Sequence, residues 1–417
     1  MTETKKGALW NTAAGILNAA ESVVMSMVAT RTDGLEAAGI LVLAFAIGNL
    51  FRTIGLWGMR TFQVSDQNGE FSFREYLHSR FFSILLMGVA GVAYSVYLLC
   101  GRGYSWEKTG VIFLIIFVYV LEGYEDILWG EYQRRGRIDI GAKLFLSRWG
   151  TLLIFFGAGM CLGYGLLPVL AAAVFCSVVV FFGVLFRWYG IPTDDTGTSG
   201  RDRWFEIIRQ TFPLFAATFL VFYLNNIAKY SIDRYYDDDL QACFGFIAMP
   251  VFVVELLSGF IYQPKIVFLT ELWKAHKYRE TVKEIRRQLM VIVVLSVLCI
   301  VGGHFLGIPV LSIVFAVDLS PYKTELLLML LAGGEMALVG YSMVWFTIIR
   351  KQKWMLLLYL ITTVVAAVLI PVWVKTKGIY GAAAGSAWIQ GGQAAAFYAV
   401  LFALMAAEAK GIRNHKR

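Results

Sequence analysis

Apolar residues fill this chain in long blocks separated by short polar breaks, and the length of the blocks decides the fold class. About twelve of them reach roughly 20 residues, which is what a helix needs to cross a hydrocarbon core of about 30 Å. The pattern predicts spans at 8–30, 37–59, 80–100, 109–130, 141–162 and 166–188. A second set follows at 207–229, 241–263, 289–308, 324–349, 354–374 and 379–406. Between the sets lies the longest polar, turn-rich break that is not amphipathic, Pro192-Thr193-Asp194-Asp195-Thr196-Gly197-Thr198-Ser199-Gly200, which reads as a flexible linker. The expected organisation is a six-helix bundle over 1–190, a cytoplasmic linker over 191–203 and a second six-helix bundle over 204–417. The fold class is all-α, a polytopic membrane protein.

The two halves match each other weakly but collinearly. With an offset of 205, Leu35-Glu36-Ala37 falls on Leu240-Gln241-Ala242, Arg60 on Lys265 and Glu75 on Glu280. With an offset of 216, Trp129 falls on Trp345, Arg135 on Lys351 and Tyr164-Gly165 on Tyr380-Gly381. An even number of helices per copy gives both copies the same orientation. The expected symmetry is therefore a pseudo-two-fold axis along the membrane normal, with a cavity between two bundles. The stretches 63–79 and 265–288 occupy equivalent positions. The second, with Leu272, Trp273, Tyr278, Val282 and Ile285 among Lys and Arg, reads as an amphipathic helix on the cytoplasmic leaflet or as an ordinary solvated loop.

Charge fixes the orientation. Placing the N-terminus inside and alternating sides puts 27 of the 37 Lys and Arg residues on the cytoplasmic side, and the inverted topology breaks the positive-inside bias in nearly every loop. Both termini are thus expected inside. The net charge of +8 is explained by loops facing anionic lipid, so no nucleic-acid partner is expected. Charged residues make up 16% of the chain, below the quarter or so of a soluble domain. The five cysteines are scattered through apolar spans, with no CxxC pair and no metal spacing. The first apolar run is long and has no small-residue cleavage site, so it is expected to remain as a span.

Charged and amide side chains within the spans are the functional candidates, because hydrocarbon penalises them. The first span carries Asn11, Asn18, Glu21 and Ser22 on one stripe, and the second carries Asn49 and Arg52. The fourth carries Glu122, Glu125, Asp126 and Trp129 at i, i+3, i+4 and i+7, so three carboxylates share a face. Arg148 lies in the fifth span. In the second half come Asn226 and Lys229, then Glu255 with Ser258 and Tyr262, then Glu335, Gln390 and Gln393. Arg52, Arg148, Asn18, Asn49, Lys229, Asn226, Gln390 and Gln393 are candidates for substrate binding. Glu21, Glu122, Glu125, Asp126, Glu255 and Glu335 are candidates for ion coupling. Ordinary readings stand beside these: Arg52 and Arg148 pairing with the fourth-span acids, Lys229 reaching to the outer surface, and the amides gluing helices together.

No enzymatic constellation is present. His78, His276, His304 and His415 fall in loops or at span ends, there is no HExxH, and no GxxxxGK[ST] loop exists for a nucleotide. No metal site and no cofactor are expected beyond a proton or sodium gradient.

The opening Lys5-Lys6-Gly7-Ala8-Leu9-Trp10-Asn11-Thr12, the exit Ala29-Thr30-Arg31, Asp33-Gly34-Leu35-Glu36-Ala37-Ala38-Gly39, Phe45-Ala46-Ile47 and the run Gly55–Asp66 resemble bacterial polysaccharide flippases of the O-antigen repeat-unit type. These belong to the multidrug/oligosaccharidyl-lipid/polysaccharide exporter superfamily. The resemblance is sharpest over residues 5–80. It implies two bundles that alternate between inward and outward openings and move an undecaprenyl-pyrophosphate-linked oligosaccharide to the outer leaflet. It also implies a bacterial inner membrane as the location, and polysaccharide polymerase and glycosyltransferases as partners, besides membrane lipids. A proton- or sodium-coupled exporter of drugs or metabolites is the alternative. Arg52 matches a cavity arginine of the related lipid II flippases. Those flippases carry further arginines where this chain has Glu21 and Glu255, and they have fourteen helices, which argues against lipid II itself as cargo.

Overall fold

The computed structural model describes residues 3–66, 69–192 and 203–415. Among these residues there is no strand, and nearly all of them are helical. The helices in order are α1 (Glu3–Asp33), α2 (Leu35–Leu56), α3 (Met59–Ser65), α4 (Phe73–Val96), α5 (Trp106–Arg134), α6 (Ile138–Cys161) and α7 (Leu166–Val184). They continue as α8 (Trp204–Tyr235), α9 (Asp238–Ala248), α10 (Val251–Tyr262), α11 (Ile266–Lys274), α12 (Tyr278–Gly302), α13 (Ile308–Phe315), α14 (Lys323–Ile348) and α15 (Gln352–His415).

Ten helical runs among the described residues are long and apolar enough to cross a membrane. Helix α5 is as long as the others but carries Glu107, Lys108, Glu122, Glu125 and Asp126. Helix α15 is long enough for two crossings and bends at Gly378, where φ is 58°, a left-handed value that favours glycine. Counting α5 as a span and α15 as two gives the twelve that the apolar pattern predicts. The protein is a multi-pass, all-α membrane protein.

Residues pack in two compact units, Met1–Phe222 and Tyr223–Arg417, so that α8 begins in the first and ends in the second. Most of the polar break, 193–202, lies outside the described residues. In the first unit α5 is the central helix, packed against α2, α3, α4, α6 and α7. In the second unit α14 takes that place against α10, α12 and α15. These two helices occupy equivalent positions of the sequence repeat. Close approach needs small residues. A β-carbon on Gly123 of α5 would sit 2.6 Å from Ile84 of α4, and one on Gly333 of α14 would sit 2.9 Å from the Val251 carbonyl of α10.

Several boundaries differ from the apolar pattern for local reasons. Helix α4 starts at Phe73, not 80, because Ser72 caps it. The Glu75 N–H donates to Ser72 Oγ at 3.3 Å, and the Ser72 N–H donates to the Glu75 carboxylate at 2.8 Å. The predicted span 241–263 is two helices, α9 and α10, separated at Met249-Pro250, where proline supplies no N–H for a continuous ladder. The span drawn to 308 runs on through α13, which shortens the following loop. The break between α2 and α3 uses Trp57 (φ 47°) and Gly58 (φ 66°) in succession, and α3 continues along α5 in the direction of α2, with Arg52, Arg60 and Gln63 meeting Glu122, Asp126 and Glu131 in turn. The Trp57 ring stacks on Phe215 at 4.0 Å and its indole N–H donates to the Ile208 carbonyl at 3.2 Å. Segment 265–288 holds the short helix α11, which buries Leu269, Leu272 and Trp273 and exposes Val267 and Phe268.

Candidate functional site

Helix α5 positions the densest set of charges. Its Tyr119, Glu122, Glu125, Asp126 and Trp129 fall at helical spacing on the flank that meets α1, α2 and α6. Arg52 of α2 forms an ion pair with Glu122, donates to Asn18 Oδ1 of α1 at 3.2 Å, and lies 5.2 Å from the Tyr119 ring centre. Arg148 of α6 donates through Nε to Glu125 at 2.7 Å and through Nη2 to Glu122 at 3.4 Å. Tyr119 OH donates to Glu21 Oε1 of α1 at 3.1 Å. The other oxygen of Glu21 is buried, with no hydrogen-bond partner among the described residues.

Asp126 anchors a second pair. Arg80 of α4 donates to it at 2.8 Å and to the Gly55 carbonyl at 2.5 Å. Arg60 of α3 approaches Asp126 at 3.5 Å, donates to Gln133 at 3.0 Å, and rests 4.2 Å over the Trp129 ring. The site thus gathers four guanidinium groups (Arg52, Arg60, Arg80, Arg148) and four carboxylates (Glu21, Glu122, Glu125, Asp126). Buried charges persist when matched in this way, and removing one partner leaves the other uncompensated.

Between α1, α2, α5 and α6 lies a cavity of about 230 Å³, bordered by Asn11, Asn18, Arg52, Arg60, Glu122 and Trp129 among others. It has room for several waters at about 30 Å³ each. Arg52 and Arg60 reach it. Arg148, only 1% exposed, does not border it and holds the acids from behind. Asn49 donates to the Phe45 carbonyl of its own helix at 2.9 Å.

The second-unit candidates are spread more widely. Gln390 of α15 donates to Asn225 of α8 at 3.2 Å. Gln393 is 2% exposed, and its amide nitrogen has no partner among the described residues. Glu335 of α14 lies against Gly391, where a β-carbon would come within 2.7 Å of Glu335 Oε1. Asn226 and Lys229 are half-buried on α8. Among the described residues Lys229, Glu255 and Glu335 have no ion-pair partner.

Arg80 and Arg60 were not among the sequence-level candidates. Arg60 falls just beyond the predicted span 37–59 and Arg80 at the first position of the span 80–100, where a cation reads as a cytoplasmic flank. The signal that was available is Ser72-x-x-Glu75, a capping pair that moves the start of α4 back two turns and puts Arg80, with no exposed surface, inside the bundle.

No protein-family model matches the chain, and no curated protein is similar to it in sequence. Solved structures are similar in fold. An inward-facing multidrug-resistance MATE family transporter of the MOP superfamily aligns with a TM-score of 0.72 at 14% identity, over 95% of this chain and 96% of that one. The lipid II flippase MurJ in an inward closed conformation aligns with a TM-score of 0.67 at 15% identity, over 95% and 87%. An outward-facing MATE transporter of the same superfamily gives 0.56 at 13% identity, over 98% and 96%. The chain has the fold of these proteins.

Proposed function

We propose that this protein is an alternating-access flippase that moves an undecaprenyl-pyrophosphate-linked oligosaccharide from the cytoplasmic to the outer leaflet for surface polysaccharide synthesis. Both termini are cytoplasmic in this reading, and no chemistry is catalysed. Polymerase and glycosyltransferases act after and before it. The observation that carries the reading is the convergence of guanidinium groups in the first unit, with Arg52 and Arg60 reaching its cavity. An exporter built only for organic cations has no need of arginines there.

The mechanism is an exchange of partners. Arg52 is held by Glu122 in this structure. A pyrophosphate entering the cavity offers the guanidinium a doubly charged, bidentate partner in place of one carboxylate. Glu122 keeps Arg148, 3.4 Å away. A cation that takes the place of Arg52 beside Glu122 links the loading of cargo to the loading of an ion. Glu21, beside Tyr119, has one bare oxygen for the same purpose. The acids favour coupling, and this keeps a proton- or sodium-coupled exporter of drugs or metabolites as the second reading.

The test is translocation in proteoliposomes. Purified protein is expected to carry labelled lipid-linked oligosaccharide across the bilayer, with Arg52→Ala about tenfold slower, the loss that about 1.4 kcal/mol of binding represents. Transport of organic cations with no movement of the lipid would overturn the reading in favour of the second.

A further inference from the structure

In the second unit, Glu255, Ser258 and Tyr262 stand at i, i+3 and i+7 of α10, one stripe of a single helix face. None of the three has a hydrogen-bond or ion-pair partner among the described residues. Ser258 is fully buried with an unpartnered hydroxyl. Ser231, Ser296 and Ser342 instead bond back to a carbonyl of their own helix at 2.6–2.8 Å, whereas Ser26 and Thr363 share the unpartnered state of Ser258. The ring of Tyr262 meets Tyr341 of α14 with centres 5.4 Å apart, and its hydroxyl packs against Gly340, 3.2 Å from where a β-carbon would sit. Tyr359 OH donates to Met343 Sδ of α14 at 3.2 Å, and Tyr398 OH donates to the Leu338 carbonyl of α14 at 2.8 Å.

The chemistry of this patch differs from that of the first unit. It holds one carboxylate, several hydroxyls and aromatic faces, and none of the three stripe residues is paired with a cation. It is therefore ill suited to a phosphate. A buried polar group left unpaired loses about 1–3 kcal/mol, which applies to the Ser258 hydroxyl; with half-buried Glu255 and buried Tyr262 on either side of it, the stripe suits a partner that supplies hydroxyls at short intervals. A sugar ring does so: neighbouring hydroxyls donate to a carboxylate, and its C–H face lies on an aromatic ring.

We propose that the α10 stripe of Glu255, Ser258 and Tyr262, backed by Tyr341, Tyr359 and Tyr398, is a carbohydrate-binding subsite that recognises the glycan of the cargo. The pyrophosphate is left to the arginines of the first unit. This inference rests on the reading of the cargo as a lipid-linked glycan.

The experiment compares two lipids in proteoliposomes, undecaprenyl pyrophosphate carrying an oligosaccharide and undecaprenyl pyrophosphate with no sugar. The variants are Ser258→Ala and Tyr262→Phe, singly and together. Both keep the helix and the ring packing, and melting temperature is recorded alongside. The double variant is expected to lower the ratio of glycan-lipid to bare-lipid translocation about tenfold, which is what two lost hydrogen bonds amount to. An unchanged ratio in a variant that melts like the parent would overturn the subsite and leave the cargo reading intact. A parent protein that moves neither lipid would overturn the cargo reading, and the subsite with it.

Discussion

Arg148 finds its ion-pair partners, Glu125 and Glu122, on a single neighbouring helix, and neither it nor Glu125 is more than 1% exposed. Such a residue acts by holding others in place. Replacing it with an apolar side chain of similar length leaves Glu125 as a buried charge with nothing opposite. Arg148→Met is therefore expected to destabilise the first unit by about 3–5 kcal/mol. The double substitution Arg148→Met with Glu125→Leu removes both charges and is expected to recover at least half of the loss. Thermal unfolding in detergent checks this, and a double variant no better than the single would mean the pair adds nothing. The carboxylates at this scale were legible from spacing alone, since Glu122, Glu125, Asp126 and Trp129 fall on one helical face. Their partners were not. Arg60 follows a helix break built on Trp57 at positive φ, a conformation that bulky residues rarely adopt, and nothing in the sequence announces it.

Helix α4 owes its early start, and hence the burial of Arg80, to the turn before it. Asp66 sits at the head of that turn and accepts hydrogen bonds from the backbone of Glu70 (2.9 Å) and Phe71 (3.1 Å) and from Tyr76 OH (3.1 Å). Partial burial pushes the Asp66 carboxyl up, but these donors outweigh it and hold it below the usual aspartate range. A group with a depressed folded value contributes stability above its unfolded value and loses it as the pH falls through the folded one. Asp66→Asn is accordingly expected to flatten the acid limb of the stability profile and to leave neutral-side stability lower. Ser72→Ala, which removes the cap, is expected to cost about 1 kcal/mol. It should speed amide hydrogen exchange over 73–76 while exchange within α5 stays slow. Unchanged exchange would mean that tertiary packing, not the cap, sets the start of the helix. Proline was the overlooked signal at Met249-Pro250, because an unbroken apolar run concealed the division between α9 and α10.

At the scale of the whole chain, block length and the placement of Lys and Arg were enough to predict an all-α, multi-pass protein, because the bilayer imposes span length and leaves few alternatives. The similarity in fold to MATE transporters and to the lipid II flippase agrees with that. The site was only half legible. Sequence shows which residues are costly in lipid, but pairing depends on which helices touch, and that emerges only from packing around α5 and α14. What the packing adds is a division of chemistry: matched charges in the first unit, uncharged hydroxyls and lone carboxylates in the second.

The central claim is that Arg52 exchanges Glu122 for the pyrophosphate of the cargo, and equilibrium binding of undecaprenyl pyrophosphate to the protein in nanodiscs tests it most directly. Glu122→Gln frees the guanidinium from its resident carboxylate and is expected to tighten binding about tenfold, whereas Arg52→Gln is expected to weaken it about as much. Equal affinity for the parent and both variants would contradict the exchange and return the Arg52–Glu122 pair to a purely structural role.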